Sequence, residues 1–202
     1  MEFADVIRKR RMARRFEPTP LAPGVADRLL SAGLRGPTAG FTQAVDLLAL
    51  EGGNQTGRYW DAALPAPARA GFAWPGLLRA PLLVVVLSSE DAYRRRYAEP
   101  DKAGAARDDR SPDDEDDEVP WWHVDAAFAA LLLLLAAIDE GLDALFFRAH
   151  RPTALRAALG IPSTYAPVGT VAIGHAEPDR ASSSVATRTR RPAAARVHRG
   201  RW

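Results

Sequence analysis

Cysteine is absent from the 202-residue chain. That single absence excludes disulfides, thiolate nucleophiles, iron–sulfur ligation and thiolate zinc sites. Lysine is nearly absent too, with Lys9 and Lys102 the only two, so arginine carries almost all of the positive charge. The histidines, His123, His150, His175 and His198, are dispersed and offer no metal-ligand spacing. Excess charge of one sign is also lacking: 27 Lys and Arg stand against 25 Asp and Glu, a formal net charge of +2. A chain so balanced is not expected to bind nucleic acid as its main partner. No serine–histidine–aspartate order, HExxH, Walker loop or GxGxxG occurs, so nothing is equipped for hydrolysis. The longest apolar run, residues 126–138, falls short of the roughly 20 residues that span a bilayer. The opening Met1-Glu-Phe-Ala-Asp-Val6 has no apolar stretch behind a basic one. A cytoplasmic protein without a membrane segment is therefore expected.

Hydrophobic residues make up 47% of the chain, enough for one substantial core and one domain over residues 1–202. Helical spacing of Phe3, Val6 and Ile7 predicts a first helix over residues 3–11, broken by Phe16-Glu-Pro-Thr-Pro20. A second helix is predicted over 21–34, stopped by the glycines at 33 and 36. Residues 44–50, 81–88, 142–147 and 168–174 read as strands, with 81–88 apolar enough to be covered on both faces. Residues 122–140 are apolar nearly all round and read as a helix buried at the domain centre or between subunits, closed by Gly141. A short helix is predicted over 152–159, and short helices with irregular chain over 64–75. Residues 93–117, ending in an acidic run, read as a mobile excursion outside the core, with the acidic loop at about 100–119. From residue 177 the apolar density collapses, leaving an arm that must dangle or wrap something.

Four segments are candidates for chemistry. Arg8-Lys-Arg-Arg-Met-Ala-Arg-Arg15 gathers six cations in eight residues, suited to charge-assisted, bidentate bonds to a phosphate or equally to a solvated basic face. The small-residue loop 36–43 lets backbone approach a ligand closely, with Thr38, Thr42 and Gln43 as polar contacts; such a composition also serves plain turns. Arg188-Thr-Arg-Arg-Pro192 is a second basic cluster, able to meet the first on one anion or to remain a basic tail. Val119-Pro-Trp-Trp-His-Val-Asp125 brings two indoles that either cover a planar ligand or pack. Asp125 is read there as a residue of the helix N-cap region, and His123 as structural. Arginines at both ends, aromatic residues and few acid–base groups fit a chain whose chemistry is done by a bound cofactor.

Taken in order, these segments resemble the FMN-dependent nitroreductase family. Residues 3–16 are similar to its opening helix and Arg-Arg-Ser-x-Arg-x-Phe phosphate signature, and Arg35-Gly-Pro-Thr-Ala-Gly-Phe-Thr-Gln43 to its flavin-side loop. Residues 124–140 followed by Gly141-Leu-Asp-Ala-Leu-Phe-Phe147 look like its central helix and the strand that passes the flavin. Gly160-Ile-Pro162, Pro167-Val-Gly-Thr-Val-Ala-Ile-Gly-His175 and Arg190-Arg-Pro192 resemble its closing pattern. The resemblance implies an α+β fold with a mixed sheet flanked by helices. It also implies an intertwined homodimer whose C-terminal extension, about 177–202, wraps the partner.

By the same resemblance, Arg10, Arg11 and Arg14 hold the FMN phosphate and ribityl groups, with Arg188 or Arg190 completing the phosphate site. Pro37, Thr38, Ala39 and Phe41 line the flavin from one subunit, Gln43 lies toward its pyrimidine edge, and Phe146, Phe147 and the backbone of Arg148 pass the ring. Two departures stand out. Met12 replaces a serine, removing one hydroxyl from the phosphate site, and Arg148-Ala149 replaces a glycine-containing turn, which alters shape and charge beside the flavin. The implied activity is transfer of reducing equivalents from NADH or NADPH through FMN to a small electron-poor acceptor such as a nitroaromatic, a quinone or a flavin. No side chain is assigned a catalytic role. A flavin-holding or storage protein of the same fold, without NAD(P)H turnover, is the alternative.

Overall fold

The computed structural model describes residues 1–103, 119–178 and 187–202. The predicted acidic run, within 104–118, and the stretch 179–186 lie outside the described residues.

The fold is α+β, built on a four-stranded sheet in the order β1-β2-β4-β3: β1 Val45–Glu51, β2 Leu82–Ser88, β3 Asp143–Phe147 and β4 Ala166–Gly174. Every pairing is antiparallel, which corrects the expected mixed sheet. The one parallel pairing among the described residues is a single bridge, Met12 to Ala144, on the outer edge of β3. Strand β2 is buried along its whole length, and alternation divides its side chains between two cores. Leu82, Val84 and Val86 face the core under helices α2 (Val25–Gly33) and α7 (Trp121–Asp139). Leu83, Val85 and Leu87 face the other, shared with α3 (Gly52–Ala63) and α8 (Pro152–Leu159). A register shift between Val86 and Leu87 falls opposite Pro167, which has no N–H to give the ladder.

Helix α7 runs 19 residues, longer than the counted apolar run because Trp121, Trp122 and Val124 extend it toward its N-terminus. By length and composition alone it is apolar enough to cross a membrane. Leu133, Leu134 and Ala137 are nonetheless packed into the core that α7 shares with α2, and Ile138 is buried as well. Gly33 makes that crossing close: a Cβ there would lie 2.9 Å from Leu133 Cγ and 3.1 Å from Leu47 Cδ1. Gly33→Ala is therefore expected to lower stability by about 1–3 kcal/mol through overpacking, read as a lower urea midpoint with an unchanged slope.

The first helix, α1 (Phe3–Lys9), ends two residues earlier than predicted. Beyond it the basic segment runs extended along the edge of β3, where Ala13 N–H donates to the Ala144 carbonyl at 3.1 Å and Phe16 is fully buried. Extended chain suits this stretch because Ala13 and Phe16 can then enter the core while the arginines stay outside. The second helix likewise starts late, at Val25, because Gly24 sits left-handed at φ 77°.

Three further short α-helices are α4 (Ala66–Arg69), α5 (Glu90–Tyr97) and α6 (Pro100–Ala103), and 3-10 turns span Ala39–Phe41, Pro75–Arg79 and Ala193–Ala195. Helix α5 corrects the reading of residues 93–97 as part of a mobile excursion outside the core. Ser89 caps α5 by accepting from Ala92 N–H at 3.2 Å, and Tyr93 is buried against Tyr97 and Trp122.

Candidate functional site

The arginines of the extended segment are not equivalent. Arg11 is paired with Asp143 at 2.9 Å, and Arg15 with Glu177 at 2.5 Å. Glu177 also takes Arg79 at 2.7 Å, and the two guanidiniums hold its carboxyl below the usual range. Arg14 has no acid partner among the described residues; it donates to the Met12 carbonyl at 3.2 Å and lies over the Trp74 ring at 5.1 Å. Arg10 likewise makes no ion pair among the described residues. Of the three arginines assigned to a phosphate, Arg10 and Arg14 are thus uncommitted and Arg11 is engaged at the strand edge.

Arg14, Phe146 and Phe147 share one cavity of about 460 Å³, with Trp60, Trp74 and His150 also in its wall. The local sequence explains the aromatic lining. Phe147 ends β3 on the α3 face, where the Trp60 ring stacks on it at 5.7 Å and 9°. Tyr59, edge-on to Trp60 at 5.0 Å, anchors α3 to the sheet through a 2.9 Å bond between its hydroxyl and Thr170 Oγ1. Burial pushes the Tyr59 phenol up to about 12, so it remains a neutral structural group. Trp60 Nε1 is buried without a hydrogen-bond partner among the described residues, an unusual state for an indole donor in a settled core. Arg148 is exposed just beyond β3, while Ala149 turns into the core.

The loop residues lie elsewhere in the same chain. Thr38, Phe41 and Gln43 line a separate cavity of about 300 Å³ with Asp125, on the α2–α7 side. Gly40, Phe41 and Gln43 all have positive φ, at 60°, 57° and 50°. Thr38 Oγ1 accepts from Gln43 N–H at 3.1 Å, Ala39 N–H donates to both Asp125 oxygens at 3.1 Å, and the Thr42 hydroxyl reaches Oδ2 at 3.4 Å. Pro37 and Phe41 are exposed. Arg188 and Arg190 lie on segment 187–202, which is exposed throughout. The sequence-predicted residues therefore form two groups within one chain, plus an arm.

Asp125 corrects its sequence reading. Helix α7 begins at Trp121, so Asp125 stands inside the helix, where it is 2% exposed and holds a loop. The two indoles are also settled: Trp122 packs on Tyr93 at 5.6 Å and under Arg94 at 5.7 Å, while Trp121 is exposed. His123 Nδ1 pairs with Ser88 Oγ at 3.0 Å, a structural contact.

Burial raises the Asp125 carboxyl above its ordinary value, against the opposing bonds from Ala39 and Thr42. Its proton is held more tightly folded than unfolded, so ionisation costs stability. That cost is absent below the unfolded carboxylate value, roughly pH 4, and fully present above the folded one. Asp125→Asn is expected to raise Tm at pH 7 relative to the wild type, with the gap closing toward pH 4 in paired thermal melts.

The model of the nitroreductase family matches residues 7–175. The chain belongs to the nitroreductase family. The nitroreductase fold is likewise found in a nitroreductase family protein from Clostridium difficile 630, at 17% identity, TM-score 0.72 and complete coverage of both chains. NfrA2 of B. megaterium is similar at 16% identity and TM-score 0.73, covering all of this chain and 75% of that one. An FMN-dependent nitroreductase from Clostridium difficile R20291 aligns at 18% identity and TM-score 0.65 over 98% of each chain. No curated protein matches this nitroreductase-family chain by sequence.

Proposed function

We propose that this nitroreductase-family chain is an FMN-dependent oxidoreductase. It would take reducing equivalents from NADH or NADPH and deliver them to a small electron-poor acceptor of the nitroaromatic, quinone or flavin class. The observation that carries the reading is the cavity in which Arg14, without an acid partner among the described residues, stands beside Trp74, Phe146 and Phe147.

The donor set fits FMN. A phosphate dianion needs cations not already neutralised, which Arg10 and Arg14 provide, and a planar ring needs apolar, aromatic walls. Arg188 or Arg190 would complete the phosphate site, and Met12 offers it no hydroxyl. Phe146, Phe147 and the Arg148 backbone would border the ring, with the 37–43 loop of a second subunit on its other side. FMN, when bound, supplies hydride acceptance and onward electron transfer. The protein's own part is to bind, orient and exclude water, with no nucleophile required.

The second subunit is part of the proposal. Phe3 and Ile7 of α1 and Phe128 and Leu131 of α7 are exposed, at 70%, 49%, 40% and 47%. These apolar side chains on two elements in contact support a homodimer interface. The cytoplasm, which holds NADH and NADPH, is the proposed location.

The test is the visible spectrum of the purified protein, followed by anaerobic addition of NADH or NADPH. A flavin spectrum that bleaches supports the reading. A yellow protein that neither nucleotide bleaches points to the flavin-holding alternative, and a colourless protein that cannot be reconstituted with FMN overturns both.

A further inference from the structure

Asp125 is the only buried carboxylate among the described residues. Taking a carboxylate out of water is unfavourable unless cations or several donors replace the lost hydration. No cation pairs with Asp125 among the described residues. Its recorded partners are the Ala39 N–H and the Thr42 hydroxyl. A neutral side chain would serve the core of α7 at lower cost. What the acid provides is a clamp across 86 residues of sequence, from the first turns of α7 to one loop.

That loop requires a clamp. Left-handed backbone at non-glycine residues is unfavourable, of order 1–3 kcal/mol at each, and persists only where surrounding contacts over-determine it. Phe41 and Gln43 both adopt it, with Gly40 between the clamped Ala39 and Phe41. On the far side Tyr97 of α5 closes over Gly40, where a Cβ would meet its hydroxyl at 3.0 Å. Below, Gly36 lies against the α7 backbone, its Cβ position 3.4 Å from Ala129 N. The outcome is a loop fixed from inside while Phe41 stays 75% exposed.

We propose that Asp125 is a positioning residue for the cofactor: by accepting from Ala39 and Thr42 it fixes the strained 38–43 loop in the shape that presents Thr38, Ala39 and Phe41 to flavin in the partner's site. The proposal rests on the FMN reading above. Asp125 touches neither cofactor nor acceptor in this scheme and acts only through the loop. It follows that geometry, not charge, is what the position requires. Asparagine keeps one bond to each partner, with Oδ1 accepting from Ala39 and Nδ2 donating to the Thr42 oxygen, and gives up only the second Ala39 contact at Oδ2.

The test compares full-length wild type, Asp125→Asn and Asp125→Ala, each stripped of flavin and titrated with FMN by fluorescence, with amide hydrogen exchange followed over residues 38–43. Asp125→Ala is expected to weaken FMN binding about tenfold, the scale of one lost hydrogen bond, and to lose protection at the Ala39 amide. Asp125→Asn is expected to keep both within about threefold of wild type, which a role for the buried charge itself would not allow. Asp125→Ser, too short to reach Ala39, replaces the alanine variant where that does not fold. An alanine variant that holds FMN as wild type does overturns the positioning role, and so does an asparagine variant that fails as alanine does. Wild-type protein that takes up no FMN overturns the cofactor reading and this proposal with it, so the two failures are distinguishable.

Discussion

Replacing Arg10 and Arg14 together with alanine is expected to yield protein that purifies without flavin. Each guanidinium contributes roughly 1.5–3 kcal/mol through charge-assisted bonds to a phosphate. Their joint loss is worth ~3–6 kcal/mol, a drop in FMN affinity of ~100-fold or more. The effect should be specific to binding. Among the described residues neither arginine forms an ion pair, whereas Arg11 is tied to Asp143 and Arg15 to Glu177. Thermal melts of the double variant should therefore match those of flavin-free wild type. Arg11→Ala is the internal control, with at most a minor effect on flavin content, since its guanidinium is already engaged by a carboxylate. Unchanged flavin content in the double variant would remove both residues from the phosphate site.

Cutting the chain after Pro178 is expected to abolish both the dimer and the flavin. Residues 187–202 are exposed throughout, with Val197 at 56% and Trp202 at 97%, so the arm has no core of its own chain to join. Its start, in contrast, is fastened: the Phe16–Ala176 bridge and the bond from Glu177 N–H to the Arg15 carbonyl hold it to the basic segment. An arm anchored there and unpacked beyond is suited to crossing onto a second subunit and bringing Arg188 or Arg190 to the phosphate. Sedimentation of the truncated protein as a colourless monomer is the expected result. A truncated protein that remains dimeric and yellow would show that the arm serves neither purpose.

Much of this molecule is legible in the chain because its local signals are strong. Alternation and apolar runs locate all four strands, with boundary shifts of at most two residues. Pro152 and Gly160 bracket α8 as read, since proline favours a first helical turn and glycine tolerates the left-handed closing residue at φ 68°. The succession of the basic segment, the 36–43 loop and the central helix identifies the family, and the family model covers that same succession. The lack of cysteine rules out disulfides and thiolate chemistry without any coordinates.

What the tertiary structure decided depends on contacts between residues far apart in sequence. Whether a sheet is mixed or antiparallel is set by which strands become neighbours, and no strand's own pattern records that. Six cations in eight residues look alike in sequence, yet Asp143 and Glu177 neutralise two of them from over 130 residues away and leave Arg10 and Arg14 uncommitted. An aspartate near a helix start reads as a cap residue; only the fold brings Ala39 to it across 86 residues and makes it a clamp. Periodicity thus determined most of the elements, and the order of motifs determined the family. The pairing of charges, the burial of Asp125 and the separation of the loop from the Arg14 cavity were settled by three-dimensional proximity, because desolvation and hydrogen bonding act through space and not along the chain.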